Sequence, residues 1–109
     1  MPEFIVVFVT VGSSAEGRAI AQALVEEGLA ACVNRIPGIR SIYRWEGKIE
    51  ESEEELLLIK TRAEIFSNLE KRIRELHSYS VPEIIAVPIV SGNEAYLNWL
   101  NQQLSNPVS

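Results

Sequence analysis

The chain has 109 residues, 47% of them hydrophobic, with a net charge of −5 and an isoelectric point near 4.9. A chain of this length is expected to form one domain, residues 1–109. The acidic balance argues against nucleic-acid binding, which needs a basic surface, and against attachment to an anionic membrane. No apolar run reaches the roughly 18 to 20 residues of a membrane-spanning helix, and Met1-Pro2-Glu3 lacks the basic start of a signal peptide. We therefore expect a cytoplasmic protein, and a single cysteine, Cys32, agrees with a reducing compartment.

The first predicted elements are a buried strand and an amphipathic helix. The uninterrupted apolar run FIVVFVTV, residues 4–11, predicts a central strand that is buried on both faces. Ser13 or Ser14 can cap a helix over residues 15–27, and Gly28 is expected to end it.

A long β-hairpin follows. The segment ACVNRIPGIRSIYRWEGK, residues 31–48, predicts one long strand interrupted at Pro37-Gly38, and Gly47 suits a tight turn. A second strand, residues 49–60, returns antiparallel to it. Five acidic residues in this second strand predict a solvated face rather than a cation site: Glu50, Glu51, Glu53, Glu54 and Glu55. The ribbon is too long to be covered by one small domain, so we expect other copies of the chain to cover it.

The second half of the chain predicts helix, strand and helix. Thr61 and Glu64 have the spacing of a capping box. The helix that follows has an apolar face made of Ile65, Phe66, Leu69, Ile73 and Leu76. Residues 78–82 are expected to form a loop, residues 83–90 a fourth strand, and Tyr96 to Leu104 the apolar face of a last helix that Asn93 can cap. Residues 106–109 are expected to fray.

The element order βαββαβα predicts an α+β protein with the ferredoxin-like split βαβ arrangement, an antiparallel sheet of order 4-1-3-2 with helices on one face. Pro37 and Pro88 then fall on the two edge strands, where a missing amide is tolerated. Three strands are apolar on both faces, so the second face of the sheet needs cover. A closed homo-oligomer that packs these faces together is the expected solution.

Five segments carry a resemblance to a known family: LAACVN from residue 29, IPGIRSIYRWEGKIEE from residue 36, LLLIKT from residue 56, LHSYSVPEIIAVPI from residue 76 and YLNWL from residue 96. Together they resemble the CutA divalent-cation-tolerance proteins over nearly the whole chain. The resemblance implies a cytoplasmic, very stable homotrimer of ferredoxin-like subunits, linked to tolerance of copper and other divalent cations. The architecture also resembles the trimeric PII-type signalling proteins, which bind small effectors in clefts between subunits.

His77 and Glu83 are the candidate metal ligands, for Cu(II) or another divalent cation. An imidazole and a carboxylate separated by a short loop are suitable ligands for copper or zinc. The competing interpretation is a histidine that caps the end of the preceding helix. Some relatives have a cysteine near the end of the first strand, where this chain has Val9-Thr10, and the loss of that soft ligand predicts weak binding. Cys32 lies at the opposite end of the sheet from His77 and is predicted to be a small packing residue.

Five residues are candidates for an inter-subunit cleft: Cys32, Tyr43, Trp45, Lys60 and Tyr79. Trp45 can also anchor one subunit on the next, which is the interpretation we favour, and Lys60 can meet a buried carboxylate or an anionic effector.

The chain contains no glycine-rich phosphate loop, no nucleophile beside a histidine base and no paired-histidine metal motif, so an enzyme is not expected. Three hypotheses remain: a trimer that binds divalent metal weakly, an effector-binding signalling module, and a purely structural role. A cleft lined by Lys60, Arg40 or Arg44 would favour the second, and convergence of His77 and Glu83 would favour the first.

Overall fold

The computed structural model describes residues 2–108. Four strands and three helices follow one another in the predicted order βαββαβα. Their bounds are β1 Phe4–Val11, α1 Ser14–Glu26, β2 Cys32–Trp45, β3 Lys48–Arg62, α2 Phe66–Leu76, β4 Ile84–Pro88 and α3 Glu94–Gln102.

The strands form one antiparallel sheet in the order β2-β3-β1-β4, which confirms the predicted topology. β1 is central and pairs with β3 from Phe4↔Arg62 to Val11↔Glu55. Pro37 and Pro88 lie on the edge strands β2 and β4, as predicted. Edge strands tolerate proline because one side of their backbone has no ladder partner.

Helices α1 and α2 cover one face of the sheet. Val7, Val9, Leu57 and Ile59 are fully buried beneath them, because alternation along β1 and β3 puts these side chains on one face. Ser13 is the N-cap of α1, and its hydroxyl accepts the Glu16 N–H at 3.2 Å. Gly28, at φ +72°, ends the helix in the left-handed conformation that glycine adopts without strain.

The hairpin of β2 and β3 extends beyond the helices. Its two-residue turn consists of Glu46 (φ 50°) and Gly47 (φ 79°), the positive-φ pair that matches the twist of the flanking strands. The radius of gyration is 14.6 Å, whereas a compact chain of this length has about 13 Å. The difference reflects the projecting hairpin, and the large apolar side chains Ile42, Trp45 and Ile49 are exposed on it.

The predicted capping box at Thr61 is wrong. β3 continues to Arg62 because Thr61 and Arg62 pair with Ile5 and Phe4. The Thr61 hydroxyl donates to the Leu29 carbonyl at 2.8 Å, so it is not available to cap a helix. A single 3-10 turn, Ala63–Ile65, leads into α2 instead, and α2 has no side-chain cap.

α3 packs at the end of the sheet where Phe4 pairs with Arg62. The Arg62 guanidinium is buried and donates to the Asn101 side chain of α3 and to the carbonyls of Ser105 and Asn106. Phe4 and Arg62 lie on the face opposite Val7 and Ile59 by alternation, so α3 covers part of the second face.

The tail that is predicted to fray makes hydrogen bonds as far as Val108, and its fraying stays a prediction. Arg62 holds the carbonyls of Ser105 and Asn106, and the Asn101 side chain is hydrogen-bonded to both backbone groups of Val108. These contacts tie the segment after α3 to the body of the domain. Ser109 lies outside the described residues.

The prediction of a fully solvated acidic face holds for three of the five carboxylates on β3. Glu50, Glu51 and Glu53 are exposed, whereas Glu54 and Glu55 are buried. Glu55 is paired with Arg35, whose Nε lies 2.8 Å from Glu55 Oε2. Glu54 belongs to the site described below.

Candidate functional site

A cavity of about 670 Å³ lies beside the hairpin, on the face of the sheet that α1 and α2 leave open. Residues from β1, β2 and β3 and from the loop before β4 line it. They are Thr10, Ser41, Ile42, Tyr43, Trp45, Ser52, Glu54, Tyr79, Ser80, Val81 and Glu83.

A β-bulge at Pro37-Gly38 brings the aromatic side chains of β2 into this cavity. Ile36 pairs with Leu56 before the bulge and Ile39 pairs with Glu54 after it, so the register shifts by one residue. Such a shift moves the following side chains to the other face of the sheet. Tyr43 therefore shares a face with Glu54, and a strand without the bulge would turn Tyr43 away. Gly38 supports the bulge with φ +74°.

Tyr79 and Glu54 form the inner wall. The Tyr79 hydroxyl donates to Glu54 Oε2 at 2.8 Å, and only 8% of Glu54 is exposed. Burial, then the hydrogen bond to Glu54 and its negative charge, raises the pKa of Tyr79 to about 12. The phenol of Tyr79 therefore stays protonated and donates a hydrogen bond to the Glu54 carboxylate throughout the physiological pH range.

His77 lies behind this wall, and its side chain has no exposed surface. Its Nε2–H donates to the Thr10 carbonyl at 2.8 Å, and its Nδ1 accepts the Tyr79 backbone N–H at 3.0 Å. The two rings also pack together, with centroids 4.7 Å apart. Both imidazole nitrogens thus have partners, and together they position Tyr79.

Glu16, at the start of α1, joins this network. Its carboxylate accepts the Ser78 N–H at 2.7 Å and lies 3.8 Å from His77 Nδ1. Burial opposes ionisation of Glu16, but hydrogen bonds from Ser78 and Gly12 and the proximity of His77 outweigh it, so the pKa of Glu16 is lowered. The ionised carboxylate ties the loop after α2 to α1.

The structure places the predicted metal ligands His77 and Glu83 in different surroundings, and their joint binding of a metal stays a prediction. Glu83 lines the cavity and His77 does not. Within residues 2–108 no group of three or more histidine, cysteine or acidic side chains is arranged to hold a metal ion. A metal at His77 would have to displace one of its two hydrogen bonds. The potential metal ligands that face the cavity are the oxygen atoms of carboxylates and hydroxyls, which suit harder cations than copper.

The five predicted cleft residues separate into two groups. Tyr43, Trp45 and Tyr79 line the cavity together. Cys32 and Lys60 pair in register where β2 begins, away from the cavity, and the Lys60 ammonium donates to the Asn34 side chain. Cys32 is a partly buried free thiol. Whether either group lies between subunits stays a prediction.

Glu54 is the site residue that the sequence analysis missed. The sequence contained a signal that Glu54 is buried. Residues 56–59 are apolar on both faces, and alternation places Glu54 on the same face as Leu56 and Leu58. A carboxylate that continues an apolar face is half-buried at the least. Treating the five acids as one group hid this difference.

Fold and cavity define a class of protein: a ferredoxin-like α+β domain with a projecting hairpin and an acidic, aromatic cavity at its side. The family model "CutA1 divalent ion tolerance protein" matches residues 5–103. The chain therefore belongs to the CutA1 family, as the sequence resemblance indicated.

Named relatives agree with this assignment. The Divalent-cation tolerance protein CutA of Thermus thermophilus is 55% identical over 97 residues, which cover 89% of this chain and 94% of that protein. The chloroplastic Protein CutA of Arabidopsis thaliana is 48% identical over 94% of this chain, and the match covers 56% of that longer protein. The name of the Thermus thermophilus relative describes a tolerance protein rather than an enzyme.

Solved structures show the same fold. The crystal structure of CutA1 from Oryza sativa superposes with a TM-score of 0.95 at 46% identity and covers 96% of both chains. The periplasmic divalent cation tolerance protein CutA from Archaeoglobus fulgidus gives a TM-score of 0.91 at 38% identity, covering 94% of this chain and 99% of that one. No helix among residues 2–108 is long and apolar enough to cross a membrane.

Proposed function

We propose that this protein acts in the response to divalent metal ions, as a homotrimer without enzymatic activity, and that it binds Cu(II) or another divalent cation weakly. Membership of the divalent ion tolerance family is the observation that carries the proposal. The exposed acidic residues of the hairpin and the net charge of −5 favour cations over anions and over nucleic acid.

The metal ligands that fit best are the oxygen atoms around the cavity, with Glu83 as the most accessible carboxylate. Glu83 is exposed, so its carboxylate can approach a hydrated ion without losing a protein partner. His77 contributes only if the loop before β4 rearranges, because its imidazole is hydrogen-bonded on both sides. An open site with few fixed ligands predicts low affinity.

Calorimetric titration with Cu(II), Zn(II) and Mn(II) tests this proposal. Glu83→Gln replaces a charged ligand by a neutral amide, so it should weaken binding at least as much as the roughly tenfold that loss of a hydrogen-bonding partner of a ligand costs. His77→Gln should have little effect, and Glu94→Gln, an exposed change at the start of α3, is the matched control. Binding abolished by His77→Gln and untouched by Glu83→Gln would contradict the oxygen-ligand site and favour the imidazole. Absence of binding by all three ions would contradict metal binding itself.

The cytoplasm is the compartment that we propose, on the grounds of the lone cysteine. The relatives' names include a chloroplastic and a periplasmic protein, so the compartment differs within the family. Fractionation of the native host, with immunodetection of the untagged chain, tests the proposal. Recovery from a membrane-enclosed compartment other than the cytoplasm would contradict it.

A second candidate function is an effector-binding signalling module of the PII type. The cavity favours it, because about 670 Å³ is far larger than a metal ion needs and lies within the range of small-molecule sites. Lys60, Arg40 and Arg44 do not line this cavity, so the lining does not support an anionic effector.

A further inference from the structure

We propose that the cavity beside the hairpin is filled by the hairpin of a second copy of the chain, with Arg44 of that copy donating to Glu54. This inference rests on the proposed homotrimer, because it names the contact that joins the subunits. A cavity that holds a neighbouring hairpin has no room for a small effector, so the inference is an alternative to the second candidate function.

The face of the hairpin that points away from the cavity is uncovered. Alternation along β3 puts Ile49 on the same face as Leu57, the face that α1 and α2 cover. The hairpin projects beyond both helices, so Ile49 is 62% exposed. Arg44 pairs with Ile49 in register and therefore shares this face. Arg44 and Ile49 define the far face of the hairpin, and neither lines the cavity.

Arg44 gives the far face an uncompensated positive charge. It forms no ion pair within residues 2–108, whereas Arg40 on the same face is paired with Glu51 at 3.0 Å. Lys48 also forms no ion pair in that range, but it pairs with Trp45 in register and so lies on the cavity side of the hairpin. The far face therefore presents one available guanidinium beside an apolar side chain.

Glu54 supplies the acceptor inside the cavity. It is nine-tenths buried, and its Oε2 accepts the Tyr79 hydroxyl. No group of the described residues donates to its Oε1, and every fully enclosed side-chain oxygen or nitrogen in that part of the chain has a partner. Oε1 is therefore open to the cavity and lacks a donor. A charge-assisted hydrogen bond from a guanidinium would satisfy it.

The apolar part of the lining matches the far face as well. Tyr43, Trp45 and Val81 line the cavity and are 43%, 53% and 75% exposed. Aromatic rings stack on guanidinium groups, and Ile49 of the neighbouring copy would cover the remaining apolar surface. The cavity and the far face are thus complementary in charge and in polarity.

The position of the two surfaces sets the symmetry of the contact. They lie on opposite sides of one hairpin, so a neighbour seated in the cavity cannot also receive the far face of the same copy. The contact is therefore head-to-tail, and such contacts close into a ring when the rotation between copies allows it. A ring of three uses every cavity and every hairpin, which agrees with the proposed homotrimer.

A double-mutant cycle tests the contact. Sedimentation in graded urea measures the dissociation of wild type, Arg44→Gln, Glu54→Gln and the double variant. Glu54→Gln keeps an acceptor for Tyr79, and Arg44→Gln changes an exposed side chain, so both should preserve the subunit fold. Each should weaken assembly at least about tenfold per contact, as expected for loss of one charge-assisted bond. The double variant should be no weaker, because both changes remove the same bond.

Lys48→Gln is the matched control, since it removes an equal charge on the cavity side of the hairpin and should have little effect. Mixing the Arg44→Gln and Glu54→Gln proteins then shows whether the contact joins different copies. A mixed ring contains one contact between an unaltered hairpin and an unaltered cavity. The mixture should therefore assemble more tightly than either variant alone.

Additive effects of the two substitutions, no weakening by Arg44→Gln, equal weakening by Lys48→Gln, or no gain on mixing would each overturn the inference. If the wild type is a trimer, these results contradict only the contact between Arg44 and Glu54. A monomeric wild type contradicts the proposed homotrimer together with this contact.

Discussion

Single side chains around Tyr79 set the geometry of the cavity. His77 holds the Tyr79 backbone, Tyr79 donates to Glu54, and Glu16 holds the neighbouring Ser78 N–H. A lone histidine beside an acidic residue is equally compatible with a metal ligand and with a structural residue. Two partners at 2.8 and 3.0 Å favour the structural role for His77.

Glu16→Gln should lower stability in a pH-dependent manner. The pKa of Glu16 is lower in the folded protein than its ordinary value of 4.5, so the ionised carboxylate stabilises the fold. This contribution is present above pH 4.5 and is lost as the pH falls through the lower, folded pKa. We expect the free energy of unfolding of the variant to be about 1 kcal/mol lower than that of the wild type at pH 7.

Urea denaturation at several pH values measures this effect. The difference between wild type and Glu16→Gln should shrink as the pH falls below 4.5. Glu3→Gln, an exposed carboxylate before β1, is the control and should show no such difference. A difference in unfolding free energy that stays constant down to pH 3 would show that the charge of Glu16 does not contribute to stability.

Among the elements, β2 depends on its register against β3, and α3 depends on its contacts with Arg62. The bulge at Pro37-Gly38 reverses which side chains of β2 face the cavity. α3 is joined to the sheet through Arg62, which contacts Asn101, Ser105 and Asn106. Its buried guanidinium has one carboxylate partner, Glu64, at 2.7 Å.

Arg62→Met should destabilise the protein by about 3 kcal/mol, because it removes the hydrogen bonds of the guanidinium to the Asn101 side chain and to the part-buried carbonyls of Ser105 and Asn106. The last helix and the tail to Val108 should loosen first. Hydrogen exchange should therefore rise in α3 more than in α1. Arg74→Met, an exposed change in the last turn of α2, is the control. Uniform loss of protection in both helices would contradict a local role for Arg62.

At the scale of the whole molecule, a sheet face and a projecting hairpin remain without cover. Ile85 and Val87 of β4 are 55% and 45% exposed, and Trp45 on the hairpin is 53% exposed. α3 covers only the end of this face at Phe4 and Arg62. Extended apolar surface of this kind is typical of an interface between protein chains.

We expect sedimentation at micromolar concentration to give three times the chain mass of 12.2 kDa. Trp45→Ala should weaken assembly, because loss of a central aromatic anchor costs about 2 kcal/mol or more. Val25→Ala, an exposed change on α1, should leave assembly unchanged. A monomeric wild type would contradict the trimer. A Trp45→Ala protein that keeps its mass and thermal midpoint would contradict the role of Trp45 as a subunit anchor.

The sequence by itself determined the elements and their order. Alternation and helical periodicity depend on neighbours within a few residues, so the four strands, the three helices and the turn at Gly47 could be predicted locally. The two proline-bearing strands were correctly placed at the edges. The interruption at Pro37-Gly38 was also visible, although its effect on the direction of Tyr43 required the register of β2 against β3.

Only the tertiary structure decided what the polar side chains do. The Thr61 hydroxyl donates to the Leu29 carbonyl, and the His77 ring donates to the Thr10 carbonyl. The Tyr79 hydroxyl donates to the Glu54 carboxylate. The two residues of each pair lie between 25 and 67 positions apart in the chain, so no local pattern reveals them. Buried polar groups bond to whichever partner the fold brings within about 3 Å, and that partner is a property of the packed sheet and helices.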